Sequence, residues 1–143
     1  MKPAAPLFFF SVFALLASAA DLAAVKAEPD PNRRSERALG NASQALDEAR
    51  KAAASDDSKA LAAAFREMSD SADVCQDSLA HSGKDPRRSK YYKQAELKLH
   101  NLIRQLAGFG DTLPLDQRDE AEATRQHLQQ VHDAILEAAL GKK

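Results

Sequence analysis

Two histidines near the end of the chain, His127 and His132, are the first residues whose type could support chemistry. They lie five positions apart in "QHLQQVHDAILEAAL". At about 100° per helical residue, their side chains diverge by roughly 140°. Two metal ligands on one helix need a spacing of three or four residues to reach the same ion. The spacing therefore predicts that these histidines do not bind one metal together.

The remaining histidines offer no stronger site. His81 comes shortly before Gly83 at a predicted helix end, and His100 follows Glu96 by four residues on the solvent side of a helix, where the pair could hold zinc weakly. Covalent haem needs CxxCH, and di-iron bundles need repeated Glu-x-x-His pairs; the sequence contains neither. We expect no metal ligands and no cofactor. A small-ligand, metal or haem carrier is the alternative interpretation.

Cys75 is the only cysteine, so the chain cannot form an internal disulfide. Its neighbours Val74 and Gln76 provide no base to activate a thiolate. The apolar positions of the predicted helices contain no carboxylate, histidine or lysine that could act as a general acid or base. The sequence therefore predicts a protein that is not an enzyme and has no catalytic residues, with Cys75 as a small core residue.

Apolar residues recur every three or four positions along four segments, as expected for helices that bury one face. No run of alternating β-branched residues predicts a strand. The predicted core positions are Leu39, Ala42, Leu46, Ala49 and Ala53; Leu61, Phe65, Met68, Ala72, Cys75 and Leu79; Tyr92, Ala95, Leu99, Leu102, Leu106 and Phe109; and Ala121, Thr124, Leu128, Val131, Ile135 and Ala138.

Capping residues set the predicted helix boundaries. Asp30 precedes Pro31, Asp85 precedes Pro86, and Asp116 is the expected cap of the last helix. The predicted helices cover about 31–53, 56–81, 86–109 and 117–140. Similar lengths and short connections predict an all-α fold: an antiparallel up-down four-helix bundle over residues 31–141, following a cleaved signal peptide.

The first twenty residues have the pattern of a secretory signal peptide. Lys2 precedes the apolar run "LFFFSVFALL", and Ala17-Ser18-Ala19 provides small residues before a cleavage position. Residues 1–20 are the predicted signal peptide, and 21–30 the predicted linker. Cleavage after Ala19 or Ala20, or as late as residue 27, fits the pattern. We therefore expect an exported protein, periplasmic or extracellular.

A retained membrane anchor is the alternative interpretation of this segment. Asp21 interrupts the apolar run before it reaches the ~20 residues that cross a bilayer. We therefore expect no transmembrane segment after cleavage.

The formal net charge of −1 gives no reason to expect a nucleic acid partner. In an antiparallel bundle, however, the first and third helices begin at the same end, and cations collect there. This predicted basic pole consists of Arg33, Arg34, Arg37, Lys84, Arg87, Arg88, Lys90 and Lys93. It is either a solvated charged end or a binding site for phospholipid headgroups, envelope polysaccharide or an acidic protein.

Apolar residues outside the predicted core positions raise a second question. Leu97, Ile103, Leu136 and Leu140 either widen the face that packs in the core or form a surface for self-association or a partner. The sequence predicts an exported interaction, scaffold or chaperone-like protein. Its expected partner is another protein, an anionic envelope component or a second copy of itself.

Overall fold

The computed structural model describes residues 20–141, and all regular structure in this range is helical. The helices are α1 (Leu22–Lys26), α2 (Pro31–Ala54), α3 (Ser58–Ala80), α4 (Lys90–Asp111) and α5 (Leu115–Leu140). These residues contain no strand, which confirms the all-α prediction. The predicted signal peptide lies outside the described residues, apart from Ala20.

Side-chain caps start the first two long helices. Asp30 accepts a hydrogen bond from the backbone N–H of Asn32 at 3.0 Å, with Pro31 as the first residue of α2. Asp57 accepts from the N–H of Ala60 at 3.0 Å and caps α3 in the same way. Each bond satisfies an N–H that has no partner inside its helix.

The start of α4 differs from the prediction. Asp85 does cap a turn, since its Oδ1 accepts from the N–H of Arg87 at 3.1 Å, but the turn closes over residues 86–88 and does not continue. Ser89 then adopts an extended backbone (ψ 122°) and caps a new helix by accepting from Tyr91 N at 3.2 Å. A second capping residue therefore divides one predicted helix into a turn and a helix that begins at Lys90.

The last helix also begins away from its predicted cap. α5 starts at Leu115, and Pro114 at the N-cap makes no side-chain capping bond. Arg118 instead donates from Nε to the carbonyl oxygen of Leu113 at 2.7 Å, while the Leu113 side chain is buried. Burial of Leu113 holds the connection between α4 and α5, so Asp116 lies within the first turn and is not the cap.

The four long helices pack in the ring order α2, α3, α5, α4. α2 packs most extensively on α3, and α4 on α5, while α3 and α4 are diagonal partners with little contact. Arg34 near the start of α2 bonds to Ser78 near the end of α3, so these helices are antiparallel. The connection over residues 81–89 therefore crosses the end of the molecule diagonally.

The apolar residues at the predicted core positions belong to one connected core or pack against it, and Thr124 is buried as well. All are buried except Ala53, Phe109 and Ala138, which lie near helix ends and are half-buried. Both Ala42 and Ala49 of α2 have no exposed surface, because their small side chains allow a close approach to neighbouring helices. Most of the core therefore follows from the apolar spacing, and Val25, Ile103 and Leu113 join it from outside the predicted pattern.

The predicted linker at residues 21–30 contains the short helix α1. Asp21 caps it by accepting from the N–H of Ala24 at 3.3 Å, and Val25 is buried against α2 and α3. A five-residue helix gains little stability alone, so its packing on the long helices explains its presence. None of the helices in residues 20–141 is both long and apolar enough to span a membrane.

Candidate anion-binding groove

A groove of about 500 Å³ lies between the start of α4 and the last turns of α5. Its cationic wall consists of Arg87, Arg88, Lys90 and Lys93, and Leu136 and Ala139 form the facing apolar wall. Pro86, Ser89 and Glu96 complete the lining. We call the site formed by these nine residues the basic groove. Four positive side chains beside an apolar wall can bind an anion that carries an apolar part.

Arg87 is positioned by the end of α5. Its guanidinium lies against Gly141, in the space that a Cβ would occupy. Gly141 has φ 67° and ends α5 in the left-handed conformation, which glycine adopts without a steric penalty. The glycine that ends the helix therefore also makes room for a groove side chain.

The other groove cations have weak local partners. The Lys90 ammonium lies 5.2 Å from the centre of the Tyr91 ring, a cation–π contact. Arg88 is 4.0 Å from Asp85, with 90% of its side chain exposed. Within residues 20–141, neither Lys90 nor Lys93 forms an ion pair. Glu96 is the one acidic residue in the described lining, so the groove keeps an excess of positive charge.

The cations at the start of α2 form a separate group that does not line the groove. Arg37 pairs with Glu28 at 3.3 Å, and Arg33 lies 3.8 Å from Asp30. Arg34 donates to the carbonyl oxygen of Glu28 at 3.0 Å and to Ser78. Through these contacts the arginines at the start of α2 hold Glu28 and Asp30, the residues just before the helix. Of the eight predicted binding residues, the basic groove brings together the four from residues 87–93, while Lys84 lies outside its lining.

His132 connects the groove side of α4 to α5. Its side chain is 8% exposed, and its Nε2 lies 3.0 Å from Oε1 of Glu96. Its Nδ1 lies 3.3 Å from Oδ1 of Asp133. Hydrogen bonds from Gln129 and then from His132 lower the pKa of the Asp133 carboxyl. The sequence suggests a pair between Glu96 and His100 on one helix. In the structure, Glu96 of α4 contacts His132 of α5 instead.

The two histidines of α5 contact different helices. His127 Nε2 lies 2.7 Å from Oδ1 of Asp73 on α3, whereas His132 faces α4. The ring of His100 is 6.0 Å from that of His132, centre to centre. Throughout the described range, no three His, Cys, Asp or Glu side chains are grouped so that they could hold a metal ion.

Comparison with known proteins gives no relative. No protein-family model, curated protein or solved structure matches this chain.

Cys75 lies in the core, as its position in the apolar pattern predicts. Burial raises the pKa of its thiol to about 12, and the charge of Lys98 opposes this only in part. Burial also raises the pKa of the neighbouring Tyr92 hydroxyl, with a further contribution from Cys75. A thiol that resists ionisation and is sealed from solvent has the chemistry of a core side chain and not that of a nucleophile.

Sequence reasoning named Leu136 as part of a possible partner surface, but it missed Ala139, the place of both residues beside the cations, and the role of Gly141. Leu136 and Ala139 are three residues apart, so they lie on one face of α5 beside the buried Ile135. Placing this face opposite the start of α4 requires the ring order of the helices, which no local pattern provides. Of the other apolar residues outside the core pattern, Ile103 is buried, whereas 53% of Leu97 and 59% of Leu140 are exposed.

Proposed function

We propose that this protein is an exported, non-enzymatic helical bundle that binds an anionic envelope component through the basic groove. The observation that carries the proposal is the cationic wall of the groove, in which Lys90 and Lys93 have no ion pair within residues 20–141. Four like charges held close together repel one another unless an anion joins them. An anionic ligand therefore stabilises the arrangement that the fold imposes.

The ligand that best fits both walls is an anionic phospholipid headgroup. Its phosphate would contact Arg87, Arg88, Lys90 and Lys93, and the first part of its acyl chains would lie along Leu136 and Ala139. The groove volume of about 500 Å³ lies within the ordinary range of small-ligand sites. Leu140, with 59% of its side chain exposed at the same end of α5, adds apolar surface beside the groove.

The direct test is binding of the purified exported protein to vesicles. Phosphatidylglycerol vesicles should retain it at low salt and phosphatidylcholine vesicles should not, because each cation near an anionic surface contributes about 1 kcal/mol. Retention should fall as ionic strength rises, since salt screens the attraction. The variant Arg87→Glu with Arg88→Glu should bind at least about tenfold more weakly, with unchanged helicity by circular dichroism.

The matched control reverses two cations elsewhere. Lys51→Glu with Lys59→Glu changes the net charge by the same amount at exposed positions near the connection between α2 and α3. This control should bind phosphatidylglycerol as well as the unaltered protein does. Equal losses of binding in both variants would show that the attraction follows from net charge alone. Unchanged retention of the Arg87 and Arg88 variant would contradict binding through the basic groove. Binding to an acidic polymer but not to vesicles would indicate a polyanion partner.

A further inference from the structure

Side chains of α2 and α3 bind the backbone at the beginning of the described chain. Ala20 N donates to Oε1 of Glu48 at 2.7 Å, and Asp21 N donates to Oδ1 of Asn41 at 2.7 Å. Leu22 N donates to Oε1 of Glu67 at 3.1 Å. Three consecutive backbone groups are thus held by the three side chains that we call the N-terminal cradle: Asn41, Glu48 and Glu67.

The cradle is fixed by its own hydrogen bonds. Asn41 is 4% exposed, and its Nδ2 donates to Glu67 at 2.8 Å and to the buried Ser71 hydroxyl at 2.9 Å. With both amide hydrogens used, its Oδ1 is directed at Asp21 N. Asn41-Ala42-Ser43 resembles a glycosylation sequon in the sequence, but burial and these bonds keep the Asn41 amide inside the fold.

The two carboxylates of the cradle differ in their hydrogen bonds, since Glu67 accepts two, from Leu22 N and from Asn41 Nδ2. Glu48 accepts one within residues 20–141, from Ala20 N. Its side chain is half-buried, and within residues 20–141 it forms no ion pair with a cationic side chain. Partial burial makes an uncompensated carboxylate costly. A peptide N–H brings only a partial positive charge to Oε1, whereas an α-ammonium group on Ala20 would bring a full one.

We propose that Ala20 is the first residue of the exported protein and that its ammonium group binds Glu48. The inference rests on the export part of the proposed function and is independent of the basic groove. A signal peptidase would use one water molecule to break the bond between Ala19 and Ala20. The carboxylate stays on Ala19, and Ala20 takes the amino group, which gains a proton in water.

The two other cleavage positions fit the cradle poorly. Cleavage after Ala20 removes the residue that faces Glu48. Cleavage after residue 27 removes all of α1, including Val25, and exposes the core surface against which Val25 packs. It also leaves Asn41 and Glu67 without their backbone partners. A buried polar group that loses its partner destabilises a fold. The cradle therefore selects Ala20 from the three starting points that the sequence leaves open.

The first test is the intact mass of the protein after secretion of the full chain by a bacterial host. The mass should correspond to residues 20–143. A chain beginning at Asp21 or Glu28, or an uncleaved chain, would overturn the inference. Vesicle binding does not involve the cradle, so its success or failure separates this inference from that of the groove.

The second test measures the ammonium contact itself. The α-amine of the secreted protein is acylated with a limiting reagent near pH 7, and modification of Ala20 is followed by peptide mass spectrometry. In Glu48→Gln the Ala20 amine should react about fivefold faster than in the unaltered protein, the factor that corresponds to an exposed ion pair at the upper end of its range. Glu36→Gln is the matched control, with the same change on the same helix and the same partial exposure.

A third measurement needs no variant. The Ala20 amine of the folded protein should react more slowly than in the same protein unfolded in urea. Equal rates in folded and unfolded protein, or equal rates in the unaltered and Glu48→Gln proteins, would overturn the contact. A rise in Glu36→Gln as large as in Glu48→Gln would also overturn it, because the effect would then follow net charge.

Discussion

The guanidinium of Arg87 occupies the space beside Gly141 that a Cβ would fill. This contact joins the turn before α4 to the residue that ends α5, so the cationic wall of the basic groove depends on the last helix. Arg87 belongs to a turn of only three residues, and its side chain is otherwise exposed to solvent. The position of the groove arginine is therefore set by the packing of α4 on α5.

Gly141→Ala should destabilise the protein and weaken the groove together. At φ 67°, an alanine is strained by about 1–2 kcal/mol, and its Cβ would displace the Arg87 side chain. We expect a lower urea midpoint and weaker retention on phosphatidylglycerol vesicles. Normal vesicle retention by a destabilised Gly141→Ala would show that Arg87 does not need this contact.

Gly108→Ala provides the control of opposite sign. Gly108 lies within α4, and a Cβ there would meet nothing within 4 Å. Replacing a helical glycine with alanine should stabilise the protein by about 0.5–1 kcal/mol, because alanine has the higher helix propensity. Urea unfolding should give a higher midpoint, with vesicle binding unchanged. A lower midpoint would contradict the open space assigned to this position.

The pair formed by His132 and Glu96 should couple α4 to α5. Both partners are mostly shielded, with 8% and 25% of their side chains exposed. A double-mutant cycle with His132→Gln and Glu96→Gln should give a coupling energy of about 0.5–1.5 kcal/mol, measured by urea unfolding near pH 6. The pair of His127 and Asp73 is more exposed, at 36% and 53%, so the same cycle there should give a smaller value.

Cys75 should be nearly unreactive in the folded protein. With its pKa raised from 9.0 to about 12 and the side chain fully buried, the thiol stays protonated at pH 8. An aromatic disulfide reagent should therefore react about a hundredfold or more slowly than with the protein in urea, since only the thiolate attacks. Comparable rates in the two states would show that the core opens readily.

The raised pKa of the Cys75 thiol should also make the free energy of unfolding fall at alkaline pH. The raised pKa means that the folded state keeps the thiol proton after the unfolded state has lost it. The contribution to folding is complete below pH 9.0 and is lost as the pH rises towards about 12. The fall in urea midpoint between pH 8 and 10.5 should thus be smaller in Cys75→Ala. An identical fall would assign the effect to other groups.

Glu122 should remain ionised in acid. Hydrogen bonds from Arg125 and Gln126 and the charge of Arg125 lower the pKa of its carboxyl from 4.5 to about 2. A carboxyl with a lowered pKa stabilises the fold above its unfolded pKa and loses this contribution as the pH falls towards about 2. An NMR titration should show the Glu122 carboxyl still charged at pH 3.5. Because the pair is exposed to solvent, Glu122→Gln should change the stability only slightly.

Much of the fold follows from local sequence features. The spacing of residues such as Leu46, Phe65, Leu99 and Leu128 predicts which face of each helix is buried, and all four are in the core. Local reasoning fails where two capping signals compete. Asp85 and Ser89 both cap, and the extended backbone at Ser89 divides a turn from the long helix that begins at Lys90.

The candidate site was predictable in part. Charge and helix direction place Arg87, Arg88, Lys90 and Lys93 at one end, where the structure gathers them. Charge alone does not reveal that Arg37 is paired with an acid, because Glu28 reaches it only after the chain folds back at the start of α2.

The sequence by itself determined the presence of the four long helices, their buried faces and the kinds of side chain at each end, because apolar period and capping act over a few neighbouring residues. Only the tertiary structure decided that α2 and α5 are diagonal, that α1 docks on α2 and α3, and that Leu136 faces the basic turn. These relationships join residues far apart in sequence, and they follow from how four apolar faces fill one shared core at the same time.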